Sequence, residues 1–311
     1  MSEPDQAPGS GQRHPRNELN DLTGAEWLRF TKTWFICDSG RYRQNRDTEL
    51  HPARYPEELV AEFVRFFTKS GGWVLDPFCG SGATLVACRE QGRNAVGIEL
   101  AARYAEVARR RLEQGELLST ALVIHGDARQ VACPDLWRDL SSTGVSPVSD
   151  ASAALPQFDF LITSPPYWDM LHHSRGGVKS KQKQRVEQGL DEVYSPDPAD
   201  LGNLSDYDQF LDELGQVFDG CAQVLKPGKY LVVVAQNLRT PAGEVAPLAW
   251  DLARRISRSF SFQGERIWCQ NSKPLGIWGY PKVFVPNYHH HYCLIFRHDR
   301  APESDEIGAG T

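Results

Sequence analysis

The 311-residue sequence predicts an α/β fold with a doubly wound, mostly parallel sheet of seven strands that closes in an antiparallel terminal hairpin. Three observations lead there. Apolar runs of strand length alternate with amphipathic stretches of helix length, the pattern of a parallel sheet with helices on both faces. Three successive runs end in an acid (Asp76, Glu99, Asp127), which sets one chemical character along one sheet edge. The last two runs are joined by a long loop with no helical pattern, so they are read as antiparallel neighbours.

In chain order, strands are expected near 72–76, 94–99, 121–125, 158–163, 229–235, 264–270 and 291–297. Helices are expected near 56–68, 83–91, 101–114, 206–224 and 245–259, with a further one near Thr23 to Thr33. The first strand, Trp73-Val74-Leu75-Asp76, runs through Pro77-Phe78-Cys79-Gly80-Ser81-Gly82 into a helix that begins near Thr84. Gly80 and Gly82 let backbone approach a ligand closely. No Gly-Lys-[Ser/Thr] follows, and Asp76 at the strand end would repel phosphate, so this is not a P-loop. The second strand, Asn94 to Glu99, ends in a carboxylate placed to accept bonds from ribose hydroxyls, next to Leu100. The third, Ala121 to His125, leads into Gly126, Asp127 and Ala128, and Asp127 is placed near the base of the same nucleoside. Acids at three strand ends suit a nucleoside that carries positive charge and no phosphate, as in S-adenosyl-L-methionine.

The fourth strand, Phe158 to Ile162, stops at Thr163-Ser164-Pro165-Pro166-Tyr167-Trp168. The two prolines fix φ and remove two N–H donors, so the loop presents carbonyl oxygens. With the Ser164 hydroxyl, those oxygens can accept from an exocyclic amino group while Tyr167 or Trp168 stacks on the ring that carries it. Strand carboxyl ends are where open α/β sheets bind ligands.

These residues resemble the DNA amino-methyltransferases, over roughly residues 33 to 298. Asp76 to Gly82 is similar to their cofactor motif and Ser164-Pro165-Pro166-Tyr167 to their catalytic motif, in its cytosine-N4 form. His51 to Glu58 resembles the segment before the cofactor motif, and His290 to Phe296 the closing strand. In the branch with this kind of cofactor motif the catalytic motif usually comes first, so this chain looks circularly permuted and its recognition domain is not placed by analogy. The resemblance implies a Rossmann-like S-adenosylmethionine-dependent methyltransferase acting on double-stranded DNA. Its catalytic residues are Ser164, Pro165, Pro166 and Tyr167, and its cofactor residues Asp76, Pro77, Phe78, Cys79, Gly80, Gly82, Glu99, Leu100, Asp127 and Ala128. The expected reaction is methylation of N4 on a flipped cytosine. Adenine N6 in DNA and guanine N2 in structured RNA rank second, because those enzymes more often carry Asp or Asn where this chain has Ser164. A non-catalytic nucleic-acid-binding protein ranks last. C5 methylation, which needs a cysteine after a proline in the catalytic loop, is not the expected reaction, since Cys79 lies in the cofactor turn and Cys133 precedes its proline. Whether a companion restriction endonuclease acts on the same site is left open.

Composition agrees with a one-domain enzyme: 41% hydrophobic, 24% charged, and no apolar run of membrane-spanning length. Seven cysteines without a Cys-x-x-Cys pair fit a reduced cytoplasmic setting. Residues 1–20 and 300–311 are expected to be disordered tails around a methyltransferase domain at 21–299. Its cofactor half spans about 50–130 and its catalytic half about 157–299, with a substrate-binding insert at about 169–204. Net charge is −6, but Arg175, Lys179, Lys181, Lys183 and Arg185 form a run without an acid just past the catalytic motif. With Trp168, that run is the expected nucleic-acid contact. His172 and His173 belong to the same loop, where Asp169 is either a proton acceptor or a loop anchor. Ser141 to Pro156 reads as a surface excursion. Trp268, Trp278 and Tyr280, with Lys273 and Lys282, line a nucleic-acid groove or the core. His289, His290 and His291 point to alternate faces of a strand, so no metal site is assigned.

Overall fold

The computed structural model describes residues 11–38, 55–114, 119–143, 155–168, 197, 199–240, 243–277 and 279–299. Its main sheet holds β1 (Trp34–Ile36), β2 (Trp73–Asp76), β3 (Asn94–Glu99), β4 (Ala121–His125), β5 (Phe158–Thr163), β6 (Leu225–Ala235), β9 (Ser261–Cys269) and β10 (His290–Arg297). Their order across the sheet is β1-β9-β10-β6-β5-β2-β3-β4. A separate two-stranded ribbon pairs β7 (Leu238–Arg239) with β8 (Val245–Ala246).

Strands β6, β5, β2, β3 and β4 are parallel, whereas β10 is antiparallel to both β6 and β9. After β2 the chain builds outward through β3 and β4, and after β5 it builds the other way through β6. The loops that leave β2 and β5 therefore part company at the middle of the sheet. That reversal opens a crevice at the strand carboxyl ends.

Helices cover both faces. Glu57–Phe67 buries Leu59, Val60, Phe63, Val64, Phe66 and Phe67 along one stripe, the spacing of an amphipathic helix. With Ala83–Glu90 it forms one core cluster. Tyr207–Val224 and Leu248–Ile256 form the other with Phe158, Leu161, Leu231, Val233 and Leu294. No described helix is long and apolar enough to cross a membrane.

The sheet has eight strands where seven were expected. The extra one, β1, is three residues long and pairs parallel with β9, Trp34 opposite Ile267 and Ile36 opposite Cys269. Three residues carry too little alternation to register in the sequence. Arg266 explains why that edge forms: its guanidinium lies 4.0 Å from the Phe30 ring and 4.4 Å from the Phe35 ring, donates to Lys32 O at 3.0 Å, and pairs with Glu62 at 3.3 Å. Strand β8 also takes Val245 and Ala246 from the start of the expected 245–259 helix, which spans Leu248–Ile256. Residues 11–20 of the expected tail lie among the described residues. Asn20 is 2% exposed and its side-chain amide donates to Phe66 O at 2.6 Å, which docks this segment on the helix Glu57–Phe67.

Candidate active site at the sheet switch point

The turn after β2 is built around Asp76. This carboxylate is 1% exposed. One oxygen accepts from the Thr163 hydroxyl at 2.6 Å and from the Phe78 N–H at 3.1 Å. The other accepts from the Tyr55 hydroxyl at 2.8 Å and from that of Thr84. Burial raises its pKa, while the hydroxyls and the amide oppose that rise. A buried carboxylate fully supplied with donors is a structural hub. Asp76, expected among the cofactor residues, fixes the end of β2 to the end of β5 and sets Phe78 at the crevice. Thr84, read as a helix-start residue, serves the same hub.

Cys79 and Gly82, expected in the same set, pack within the turn. Cys79 is 5% exposed, burial pushes its thiol pKa well up, and it faces Gly97, where an added Cβ would lie 2.6 Å from the Cys79 sulfur. Gly82 sits at φ +82° before Ala83–Glu90, and a Cβ there would lie 3.0 Å from Ala108 Cβ. Both residues pack the turn against its neighbours. Gly80 faces the site through its backbone, since its N–H donates to Glu99 Oε2 at 2.9 Å.

Glu99, at the end of β3, also accepts from the Ala101 N–H at 2.8 Å. Each oxygen is thus aimed by one backbone amide and keeps lone-pair capacity for a second donor. Burial raises its pKa from 4.5 to about 7, against the pull of those two amides. Glu99 and Leu100 line a cleft with Pro77 and Phe78 from the β2 turn, Asp127 and Ala128 from the end of β4, and Ser164 and Pro166 from the end of β5. The residues expected at the ends of four strands therefore share one cavity.

Asp127 is held by Arg129, whose Nε lies 2.9 Å and Nη2 2.6 Å from Asp127 Oδ2. Arg129 also pairs with Glu213 at 3.4 Å and donates to Ala199 O at 3.0 Å. The second contact anchors Ala199, which lines the cleft together with Asp200 and Leu201. Asp200, 7% exposed, brings a third carboxylate to the lining. It escaped the sequence reading because it sits in an acid-rich stretch that looks like a solvated surface. Ile98, Tyr104 and Leu201 add apolar walls that the reading also missed. No Lys or Arg lines the cleft among the described residues.

Ser164 and Pro166 reach the cleft, whereas Tyr167 departs from expectation. Its ring is 6% exposed in the core cluster of the helix Tyr207–Val224, and its hydroxyl lies 3.5 Å from Ser164 Oγ. Here Tyr167 braces Ser164 and offers no open face for stacking. Its burial follows from an apolar ring at the sheet end, beneath a long amphipathic helix. Trp168 is partly buried and stands edge-on to Tyr207 at 5.0 Å, with no hydrogen-bond partner for its Nε1 among the described residues.

The basic run Arg175, Lys179, Lys181, Lys183 and Arg185 lies outside the described residues, as do Asp169, His172, His173 and Trp278. Trp268 belongs to the core: it is 3% exposed and stacks on His291 at 4.5 Å. Burial lowers the His291 pKa to about 3. His289 is fixed between Asn287 O and Lys273 O at 3.0 and 2.9 Å, and His290 approaches the Tyr292 hydroxyl at 3.4 Å.

Residues 12–110 match the family model described as DNA methylase, which covers the N6 and N4 amino-methyltransferases. The type II methyltransferase M.ScaI of Streptomyces caespitosus is 40% identical over 75 residues, 24% of this chain and 25% of that protein. The type II methyltransferase M.Cfr9I of Citrobacter freundii is 41% identical over 88 residues, 25% of this chain and 29% of that protein. The chain thus spans between a quarter and a third of the length of these curated relatives. The crystal structure of TrmN from Thermus thermophilus aligns with 78% of this chain and 48% of its own at 15% identity and a TM-score of 0.43. Residues 12–110, which hold the β2 turn and Glu99, are thus similar to the DNA methylase family of N6/N4 amino-methyltransferases.

Proposed function

We propose that this protein transfers a methyl group from S-adenosyl-L-methionine to the exocyclic N4 amino group of a cytosine flipped out of double-stranded DNA. One observation carries the reading: a single cleft joins Glu99, Asp127 and Asp200 to Ser164 and Pro166, with no Lys or Arg among the described residues that line it, although Arg129 pairs with Asp127. Carboxyl groups and apolar walls, with Asp127 paired to Arg129, suit a cationic nucleoside better than a phosphate. When bound, the cofactor supplies an activated methyl group on a positively charged sulfur.

The chain's own residues do the rest. Glu99 accepts the ribose hydroxyls on oxygens already aimed by the Gly80 and Ala101 amides. Ile98, Leu100, Tyr104 and Ala128 exclude water around the apolar ring. Asp76 holds the β2 and β5 ends together, so the two half-sites keep one spacing, which is how a displacement reaction gains rate from alignment. The Ser164 hydroxyl and the Pro165 carbonyl accept from the two protons of the target amino group. Held in that way, the nitrogen would turn its lone pair toward the methyl. The carbon–nitrogen bond would form as the carbon–sulfur bond breaks, S-adenosylhomocysteine would leave as a neutral thioether, and the nitrogen would shed one proton to solvent. A paired base cannot present this nitrogen to an enclosed cleft, so the base leaves the stack. Arg175, Lys179, Lys181, Lys183 and Arg185 would meet the phosphates beside it.

The test is transfer of a tritiated methyl group to double-stranded plasmid DNA and to bulk tRNA, with Ser164→Ala as control. Label on DNA that falls in the control supports the reading. Label confined to tRNA, or none on either, overturns it.

A further inference from the structure

The loop between β9 and β10 carries an apolar tip that the proposed chemistry does not use. Among the described residues, the four large hydrophobic side chains more than three-quarters exposed all lie here: Leu275 at 80%, Ile277 at 86%, Tyr280 at 81% and Phe284 at 86%. Val283 adds a fifth at 58%. So much apolar surface in so short a segment marks an interaction site. The loop's place is set by the sheet: β10 is antiparallel to β6 and β9, and β6 is parallel to β5. The end of β9 and the start of β10 therefore lie at the same sheet edge as Ser164, and the loop projects from that edge.

Its frame is hydrogen-bonded. The Asn287 side chain accepts from the Gly276 N–H and donates to the Gly276 O, both at 2.9 Å. Lys273 Nζ donates to Tyr288 O at 2.6 Å, and the amides of Lys282 and Val283 both donate to Gly279 O at 2.8 Å. Gly279 is required there, since a Cβ would meet Val283 O at 2.3 Å. Between Cys269 and His290 the sequence carries Lys273 and Lys282 and no acid, in a chain of net charge −6, and the carboxylate that reaches this segment is Asp38, which accepts from the Ser272 N–H at 3.1 Å and hydroxyl at 3.0 Å.

We infer that this tip is a wedge that enters the base stack of double-stranded DNA beside the flipped base, while Lys273 and Lys282 face the phosphates. The inference rests on the DNA reading above and adds a means of opening the duplex. Apolar side chains pushed between base steps unstack and untwist the helix, and local cations favour a polyanion over a second copy of this acidic chain.

The test uses closed circular plasmid, relaxed by a topoisomerase with protein bound, and the double variant Ile277→Ser/Phe284→Ser. Both side chains are exposed, so an unchanged melting temperature and unchanged S-adenosylmethionine binding are the controls. The parent should leave the plasmid underwound. At equal bound protein the variant should give less than about half that shift and a methyl-transfer rate at least about tenfold lower on duplex. Equal underwinding by parent and variant, or a parent that binds without underwinding, overturns the wedge. So does a parent that sediments as a dimer and a variant that sediments as a monomer, since the tip would then cover a second copy. Underwinding without any methyl transfer would sink the catalytic reading and leave the wedge standing. Transfer at equal rates by both proteins would do the reverse.

Discussion

Raising the pH from about 6 to about 8 should tighten S-adenosylmethionine binding about tenfold, and Glu99 is the group responsible. Burial lifts its pKa from 4.5 to about 7, and the Gly80 and Ala101 amides only partly offset that rise. The ribose hydroxyls need the carboxylate form, because only that form accepts through both oxygens. With a pKa of about 7, roughly one site in ten is ionised at pH 6 and nine in ten at pH 8. Apparent affinity scales with the competent fraction, which gives the tenfold change. Titration calorimetry near pH 7 in two buffers of different ionisation heat should also show release of about half a proton. The Glu99→Gln variant should bind more weakly at every pH and lose the slope, since charge-assisted bonds contribute roughly 1.5–3 kcal/mol each. The ligand-free protein should respond in the opposite sense. Its fold favours neutral Glu99, so this group's contribution is complete below about pH 4.5 and is lost as pH rises through about 7, by at most about 3 kcal/mol. A flat affinity between pH 6 and 8, or a Glu99→Gln protein that keeps the slope, would refute the role assigned to Glu99.

Three further outcomes are expected. Ser164→Ala should slow methyl transfer about five- to a hundredfold, the cost of leaving one proton of the amino group unpaired, roughly 1–3 kcal/mol, while calorimetry shows unchanged cofactor affinity. Tyr167→Ala should cost about 3–5 kcal/mol in urea unfolding because it empties a core site, and Tyr167→Phe should stay within about 1 kcal/mol of the parent. Gly82→Ala should lower stability by roughly 1–3 kcal/mol, since it combines a left-handed backbone with a Cβ 3.0 Å from Ala108 Cβ; a thermal melt checks it.

The central strands and their loops were legible in the sequence because each combines a buried apolar run with a change of chemistry at its end. Glu99, Asp127 and Ser164 could be assigned to one edge from that pattern alone, and they line one cleft. What the sequence concealed depends on contacts between distant segments. Asp76 looks like an edge acid until Tyr55, Thr84 and Thr163, all remote in sequence, are seen to saturate it. Asp200 is hidden among solvated acids, and it lines the cleft beside Ala199, which Arg129 anchors. Tyr167 sits in a motif that invites stacking, yet the helix Tyr207–Val224 buries its ring. Strand β1 exists because Arg266, 230 or more residues away, holds Phe30, Phe35 and Lys32 against the sheet edge.

The most direct measurement is the identity of the methylated nucleoside. Plasmid DNA incubated with the protein and labelled S-adenosylmethionine, digested to nucleosides and resolved by chromatography with mass detection, should yield N4-methylcytosine, formed about five- to a hundredfold more slowly by Ser164→Ala. N6-methyladenine as the main product would contradict the role given to Ser164, and an unlabelled digest would contradict the account of the cleft itself.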